Sequence, residues 1–278
     1  MNGHNEGKLN QLLKLLPEGL LVDASWLEER GYYRSLRSHY VAAGWLKQSA
    51  RGVFRRPRGE LGWEQVVISL QILLNYPVSI GGRTALEQQG YAHYLSQNLN
   101  TIHLYSDVKL PSWIHKLGLK QSFVVHNRLR ILPTAKVNVD LLALTQMYAE
   151  KESALKLIPW GQWQWPMVVS TPERAFLELL DELPQKETFH LADVTMEGLS
   201  TISPRRMQSL LETTKSIKVK RLFFFFADRH HHRWLNQIDK KRIKLGKGKR
   251  MLVKGGKYLP EYQITVPETY DEEYQDGI

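Results

Sequence analysis

Two groups of cations have the residue types and spacing to do chemistry. Arg34, Arg37 and Ser38 lie between Gly31 and Gly44. At 3.6 residues per turn they share one side of a helix, opposite Leu36, Tyr40 and Ala43. Val41 falls near the arginine side and fits that division less well. Guanidinium forks and a hydroxyl on one helix face suit base edges in a DNA major groove. Arg51, Arg55 and Arg56 follow at the tip and exit of a tight turn, where they suit phosphates or the neighbouring minor groove. The second group is Lys240, Lys241, Arg242, Lys244, Lys247, Lys249 and Arg250. With the amides of Gly246 and Gly248, this run could hold a phosphate; a plain basic hairpin is the competing reading.

Catalytic constellations are missing. There is no Gly-x-Ser-x-Gly, HExxH, Walker lysine loop or kinase signature. Gly81-Gly82 lacks the pattern of a phosphate loop and reads as a tight connection. Asp239-Lys240-Lys241 offers the acid-x-lysine pair of some nucleases, but no supporting acid stands on a preceding strand. His230, His231 and His232 are adjacent, whereas ligands on a helix want spacings of three or four, so they predict no metal site. The absence of cysteine excludes disulfides, cysteine-ligated zinc and thiol chemistry. No catalytic residue, metal or cofactor is therefore expected. The enzyme alternative is a nuclease delivered by a DNA-binding module; a pure protein-interaction module is another.

The first arginine group needs a frame, and Asp23 to Pro57 spells one: helix, Gly turn, helix, hairpin. That is the grammar of a winged helix-turn-helix. Ala24 to Arg30 is the first helix, capped by Asp23 or by Ser25 with Glu28 as a capping box. Gly31 ends it. Tyr33 to Ala43 is the second, and Trp45 to Gln48 with Val53 to Arg55 forms the wing. Upstream, Leu9, Leu12, Leu13 and Leu16 mark a third helix over Lys8 to Leu16 after a disordered start, and Leu20 to Val22 suits a small strand beside the wing.

Further along, Trp63 to Asn75 reads as helix, Thr84 to Gln89 as a short helix, and Thr101 to Tyr105, Ser122 to His126 and Leu129 to Leu132 as strands, the last two hairpin-like. Pro111 to Leu117 is a short helix and Leu141 to Leu157 is helical in whole or in part. Pro159 to Pro166 is irregular and rich in Trp, which is either core or a stacking platform for bases. Pro166 to Val169 is strand, Ser170 and Glu173 box the start of a helix, and Ser203-Pro204 opens another. Phe223 to Phe226 sits in a buried helix, with strand as the alternative. Ile243 to Leu245, Met251 to Val253 and Tyr262 to Val266 read as strands. The fold class is α+β: a winged helix-turn-helix at 1–60, a helical connection at 61–92 and a larger mixed α/β domain at 93–278.

The chain of 278 residues carries a net charge of +10, which suits an anionic partner. Residues 215–257 hold 15 lysines and arginines against two acids, and residues 261–278 hold six acids and no base. That tail is either a plain disordered end or a screen for the basic block. No apolar run reaches the ~20 residues a membrane crossing needs, and the polar N-terminus has no signal-peptide core. A cytoplasmic protein is expected.

The order of the pieces resembles the AbiEi family, antitoxins of type IV toxin–antitoxin systems. The resemblance rests on Trp26-Leu27-Glu28-Glu29-Arg30-Gly31, Ala43-Gly44-Trp45-Leu46 and Arg51-Gly52-Val53-Phe54 in the winged part. Later come Ser170-Thr171-Pro172-Glu173-Arg174-Ala175, Lys218-Val219-Lys220-Arg221-Leu222, Leu245-Gly246-Lys247-Gly248-Lys249-Arg250 and Tyr262-Gln263-Ile264-Thr265-Val266-Pro267. It covers nearly the whole chain. It implies that the N-terminal domain binds inverted repeats in its own promoter and represses the operon. It implies that the C-terminal antitoxin domain counteracts an AbiEii-type nucleotidyltransferase toxin without a stable complex, in abortive infection against phage. The basic run Lys240 to Arg250 would then add phosphate contacts or recognise the RNA that the toxin modifies.

Overall fold

The computed structural model describes residues 3–91, 100–132 and 154–268. Helix α1 (Gly3–Leu15) is followed by β1 (Leu21–Asp23), α2 (Ala24–Glu29), α3 (Arg34–Ala42), β2 (Lys47–Ala50) and β3 (Val53–Arg55). The strands pair antiparallel in the order β1-β3-β2, as a winged helix requires. Helix α1 begins at Gly3, so residues 3–7 of the start expected to be disordered belong to it. Asp23 caps α2 by accepting from Trp26 N at 2.9 Å. Glu28 makes no capping box with Ser25; it pairs with Arg37 instead. Gly31 turns the chain with φ +81°, a conformation that a side chain would strain. Leu12, Leu16, Leu27, Tyr32, Tyr40 and Val53 close the small core.

The larger half is built on a five-stranded mixed sheet in the order β6-β5-β4-β8-β7. Its strands are β4 (Val78–Ile80), β5 (Thr101–Ser106), β6 (Ser122–Asn127), β7 (Leu155–Trp160) and β8 (Trp165–Ser170). The central strand β4 comes from the segment 61–92. That segment is more than a helical connection: α4 (Trp63–Ile68), which runs on as a π-helical turn to Leu73, leads into β4 and then α5 (Gly82–Gln88). The boundary placed at residues 92–93 lies outside the described residues.

Three expected elements take other forms. Residues 128–130 form a 3-10 turn, and β6 pairs only with β5, in parallel. The Trp-rich stretch is the β7–β8 hairpin, with Trp160 opposite Trp165. Period-two alternation of Trp there reads as strand once the turn at Gly161 is recognised. The helix expected over 141–157 ends in β7; the rest of that range lies outside the described residues.

Helix α6 (Pro172–Glu182) packs on the sheet at β8, and α7 (Phe189–Gly198), α8 (Pro204–Thr213) and α9 (Ile217–His230) pack around α6. Pro172 opens α6 at a position where its missing N–H is harmless. Glu173 does not cap that helix; it turns to Ser203 N and Arg206, at 2.7 and 3.1 Å. Phe223, Phe224, Phe225 and Phe226 are all buried in α9, each worth about 1.5–3 kcal/mol of burial. Residues 243–245 and 251–253 are not strands. The only pairing among the described residues after α9, apart from single bridges, joins β9 (Lys257–Leu259) to β10 (Ile264–Val266).

Candidate nucleic-acid interface

Helix α3 exposes one stripe: Arg34, Ser35, Ser38 and His39, with Ala42 at its end. These positions recur at one and four residues, as one helix face does. Arg34 has no protein partner among the described residues and stands in the first turn, where recognition helices meet base edges. Arg51 is exposed at the tip of the wing, also without a protein partner among the described residues. Arg34, Ser38 and Arg51 therefore stand where the sequence put them.

Arg37 does not. It is only 7% exposed. Its Nη1 donates to Tyr32 O at 2.9 Å, its Nη2 meets Glu28 Oε1 at 2.8 Å, and its guanidinium lies 5.7 Å from the Phe54 ring centre. It thus ties α2, the helix-turn-helix turn and the wing together. The helix is rotated from the sequence reading: Leu36, Arg37, Tyr40 and Val41 face inward. Val41, which fitted the arginine face poorly, was the signal for this. Ser35 and His39 take the outward places the sequence reading gave to Arg37.

Arg55 and Arg56 also turn inward. Arg55 donates to the carbonyls of Arg58 and Gly59 at 3.1 and 2.9 Å. Arg56 donates to Leu13 O and Leu16 O at 2.9 and 3.1 Å and pairs with Glu18 at 3.0 Å. It satisfies carbonyls that the end of α1 leaves without partners. Arg58 pairs with Glu18 at 2.8 Å and lies over the exposed Trp163, 5.4 Å from its ring centre. Trp163 is thereby partly occupied, while Trp160 and Trp165 pack toward the core.

The C-terminal cations stay outside. Arg221 explains how. This guanidinium is 2% exposed. Its Nε donates to Leu245 O at 2.8 Å and its Nη1 to Gly248 O and Gln263 O at 2.7 and 3.1 Å. The glycine loop is pinned from beneath by its own carbonyls, so Lys244, Lys247, Lys249 and Arg250 project outward and are exposed. Lys241 is exposed too. Lys240 is engaged, 3.7 Å from Asp228 and over the rings of Phe224 and Tyr262; Arg242 pairs with Glu212 at 2.9 Å; Lys249 lies over Tyr258 at 4.8 Å. The two cation groups belong to different halves of the chain.

The remaining candidates resolve as structure. His230 meets Asp193 at 2.9 Å and His232 meets Met196 O at 2.7 Å. Asp239 caps a 3-10 turn by accepting from Lys241 N. No group of three or more acids and histidines among the described residues could hold a metal ion. No helix among them is long and apolar enough to cross a membrane.

A buried polar chain went unread in the sequence. His103 on β5 and His126 on β6 stand diagonally across the parallel pair, which sets His126 opposite Tyr105, and His103 Nδ1 lies 3.0 Å from His126 Nε2. His126 Nδ1 is 3.0 Å from Glu182 Oε1, and His103 Nε2 is 3.7 Å from Glu187 Oε1. Burial, with His126 beside it, lowers His103 to about 4. Burial raises Glu187 to about 7, with Glu87 and Glu182 adding to it against Arg83. Burial alone would raise Glu182, but the hydrogen bonds and charges of His126 and Lys186 hold it at about 2. Beside this chain, Gly82 N donates to Glu178 Oε2 at 3.0 Å, and a side chain at Gly81 would run into that carboxylate and the Tyr105 ring.

A family model described as a transcriptional regulator, AbiEi antitoxin of a type IV TA system, matches residues 99–267. The N-terminal domain model of the same antitoxin matches residues 5–97. No curated protein matches the chain. Its fold is similar to the crystal structure of the RV2827C protein from Mycobacterium tuberculosis, at 15% identity and a TM-score of 0.55, over 92% of this chain and 89% of that one.

Proposed function

The chain belongs to the AbiEi family of antitoxin transcriptional regulators of type IV toxin–antitoxin systems, and from that premise we propose that it represses its own operon through the winged helix. Helix α3 reads promoter DNA bearing inverted repeats in the major groove through Arg34, Ser35, Ser38 and His39. Arg51 at the wing tip holds the flanking phosphates. The observation that carries this reading is a pair of guanidiniums without partners among the described residues, Arg34 on the exposed helix stripe and Arg51 on the hairpin tip. A guanidinium with no protein acceptor is free for a bidentate bond to guanine or for phosphate.

The C-terminal half is the antitoxin part of this reading. The exposed cations Lys241, Lys244, Lys247, Lys249 and Arg250 meet an anionic surface, RNA included, and the functional partner is a nucleotidyltransferase toxin of the AbiEii type, counteracted without a stable complex. Gel shifts with the chain's own promoter fragment test the DNA half. Arg34→Ala and Arg51→Ala should each weaken binding while the protein melts as the parent does. Unchanged binding by both variants overturns the interface.

A further inference from the structure

The four groups Glu182, His126, His103 and Glu187 stand in line with three gaps of 3.0, 3.0 and 3.7 Å. Two neutral imidazoles bring one ring proton each, so two protons must serve three gaps. If His126 Nδ1 donates to Glu182 and His103 Nδ1 donates to His126, then His103 Nε2 presents a bare lone pair to the Glu187 carboxylate. If His103 instead protonates Nε2 to meet Glu187, two imidazole lone pairs face each other at 3.0 Å. Every two-proton arrangement leaves at least one repulsive gap in a buried site, where unmade hydrogen bonds are expensive. A third proton, on Glu187 or on His126, fills every gap.

We propose that this chain is a proton latch: it binds one shared extra proton, which fastens the 183–188 connection to the sheet, and loss of that proton releases it. The open 3.7 Å gap is the proton-poor arrangement. Glu187 lies between α6 and α7, while both histidines lie on neighbouring strands, so the latch spans two layers of the fold. It holds α7, whose Asp193 pairs with Arg229 and whose Met196 carbonyl meets His232. Release therefore loosens the mount from which the basic segment departs.

The charged surroundings bear on where the third proton sits. From α5, Arg83 approaches Glu187 at 3.9 Å and pairs with Glu87 at 2.7 Å. From α6, Lys186 pairs with Glu182 at 3.1 Å in the connection that follows, and Glu178 and Asp181 lie along the same helix. From the sheet side, the Tyr105 ring stacks on His126 at 4.7 Å. Among the described residues Arg83 and Lys186 face Glu87, Glu182 and Glu187, so the carboxylates there outnumber the cations and an added proton is favoured. Burial, helped by Glu87 and Glu182 and opposed by Arg83, raises Glu187 toward neutrality, and burial with His126 beside it keeps His103 uncharged. Lys186 is exposed, giving the proton a short way to water.

Hydrogen exchange of residues 183–191 in the full-length chain, corrected for intrinsic rates, tests the latch at about pH 6 and about pH 8.5. The expected result is opening at least several-fold more frequent at the higher pH. In Glu187→Gln the amide fills the third gap at either pH, and the difference should vanish. A Glu187→Gln protein with the full pH difference overturns the proposal. Ring nitrogen resonances of His103 and His126 in the unaltered protein give an independent answer. A single shared midpoint supports the latch, and separate midpoints, or no movement across that range, overturn it.

Discussion

Replacing Arg37 by alanine discriminates between the two roles an arginine on α3 can have. The buried guanidinium makes a hydrogen bond to Tyr32 O, an ion pair to a half-exposed Glu28 and a face contact with Phe54. Hydrogen bonds from a charged group are worth about 1.5–3 kcal/mol. The ion pair, with an exposed partner, adds about 0–1 kcal/mol. The substitution also strands the Tyr32 carbonyl and leaves a gap beside Phe54. A loss of about 2–4 kcal/mol is expected, read in urea unfolding as a lower midpoint with an unchanged slope. Arg37→Lys, which keeps the charge but cannot bridge both acceptors, should recover only part of it. At temperatures where Arg37→Ala stays folded, the dependence of promoter affinity on salt should match the parent, because no phosphate contact is removed. A variant that melts like the parent yet loses about one unit of salt slope would refute this assignment and return Arg37 to the groove.

Arg51→Ala should weaken binding to all DNA sequences alike and lower the salt slope by about one, whereas Arg34→Ala should cost about 1–3 kcal/mol and relax discrimination at one base position; competition gel shifts at two salt concentrations separate them. Arg221→Met removes the pin beneath the Leu245–Arg250 loop while keeping its bulk, so limited proteolysis should cut within that loop many-fold faster than in the parent. The two halves of the latch pull stability in opposite directions with pH. Glu187, raised from 4.5 to about 7, contributes most below pH 4.5 and loses that contribution as pH rises through 7. His103, lowered from 6.5 to about 4, contributes fully above pH 6.5 and loses it on acidification toward 4. Each slope is about 1.4 kcal/mol per pH unit, so they offset between about pH 4.5 and 6.5. Denaturant melts of Glu187→Gln should show stability falling with acid there, and His103→Asn should show it falling with base.

The winged helix was legible because local signals agree there: Asp23 as cap, Gly31 as turn, alternating strands around Gly52. What was not legible is the phase of α3. A helix with few apolar residues defines its inner face weakly, and an arginine that finds Tyr32 O and Glu28 can be buried at a place where only Val41 marked the turn of the face. The wing arginines failed for the same reason, since a guanidinium's destination depends on carbonyls distant in sequence, such as Leu13 and Leu16 for Arg56. In the larger half, α6 and α8 announced themselves through Thr-Pro and Ser-Pro starts, and α9 through Ser216 as cap and repeated apolar spacing. Residues 243–245 and 251–253 bond elsewhere than to each other: Leu245 O accepts from Arg221, and the amides of Leu252 and Val253 donate to Thr265 Oγ1. The histidine pair had no signature at all: positions 103 and 126 meet only because β5 and β6 run parallel in one register.

Strand β4 carries a consequence for how the gene can be divided. It begins 23 residues after Arg55 closes the wing, yet it is the middle rung of the five-stranded sheet, between β5 and β8. A fragment starting at residue 93 omits that rung and exposes two strand edges to any passing chain. A recombination that swaps one DNA reader for another must therefore break before Trp63 to leave a foldable remainder. A protease cut between β4 and β5 would part the larger sheet from its middle strand while the chain before it keeps its own small sheet.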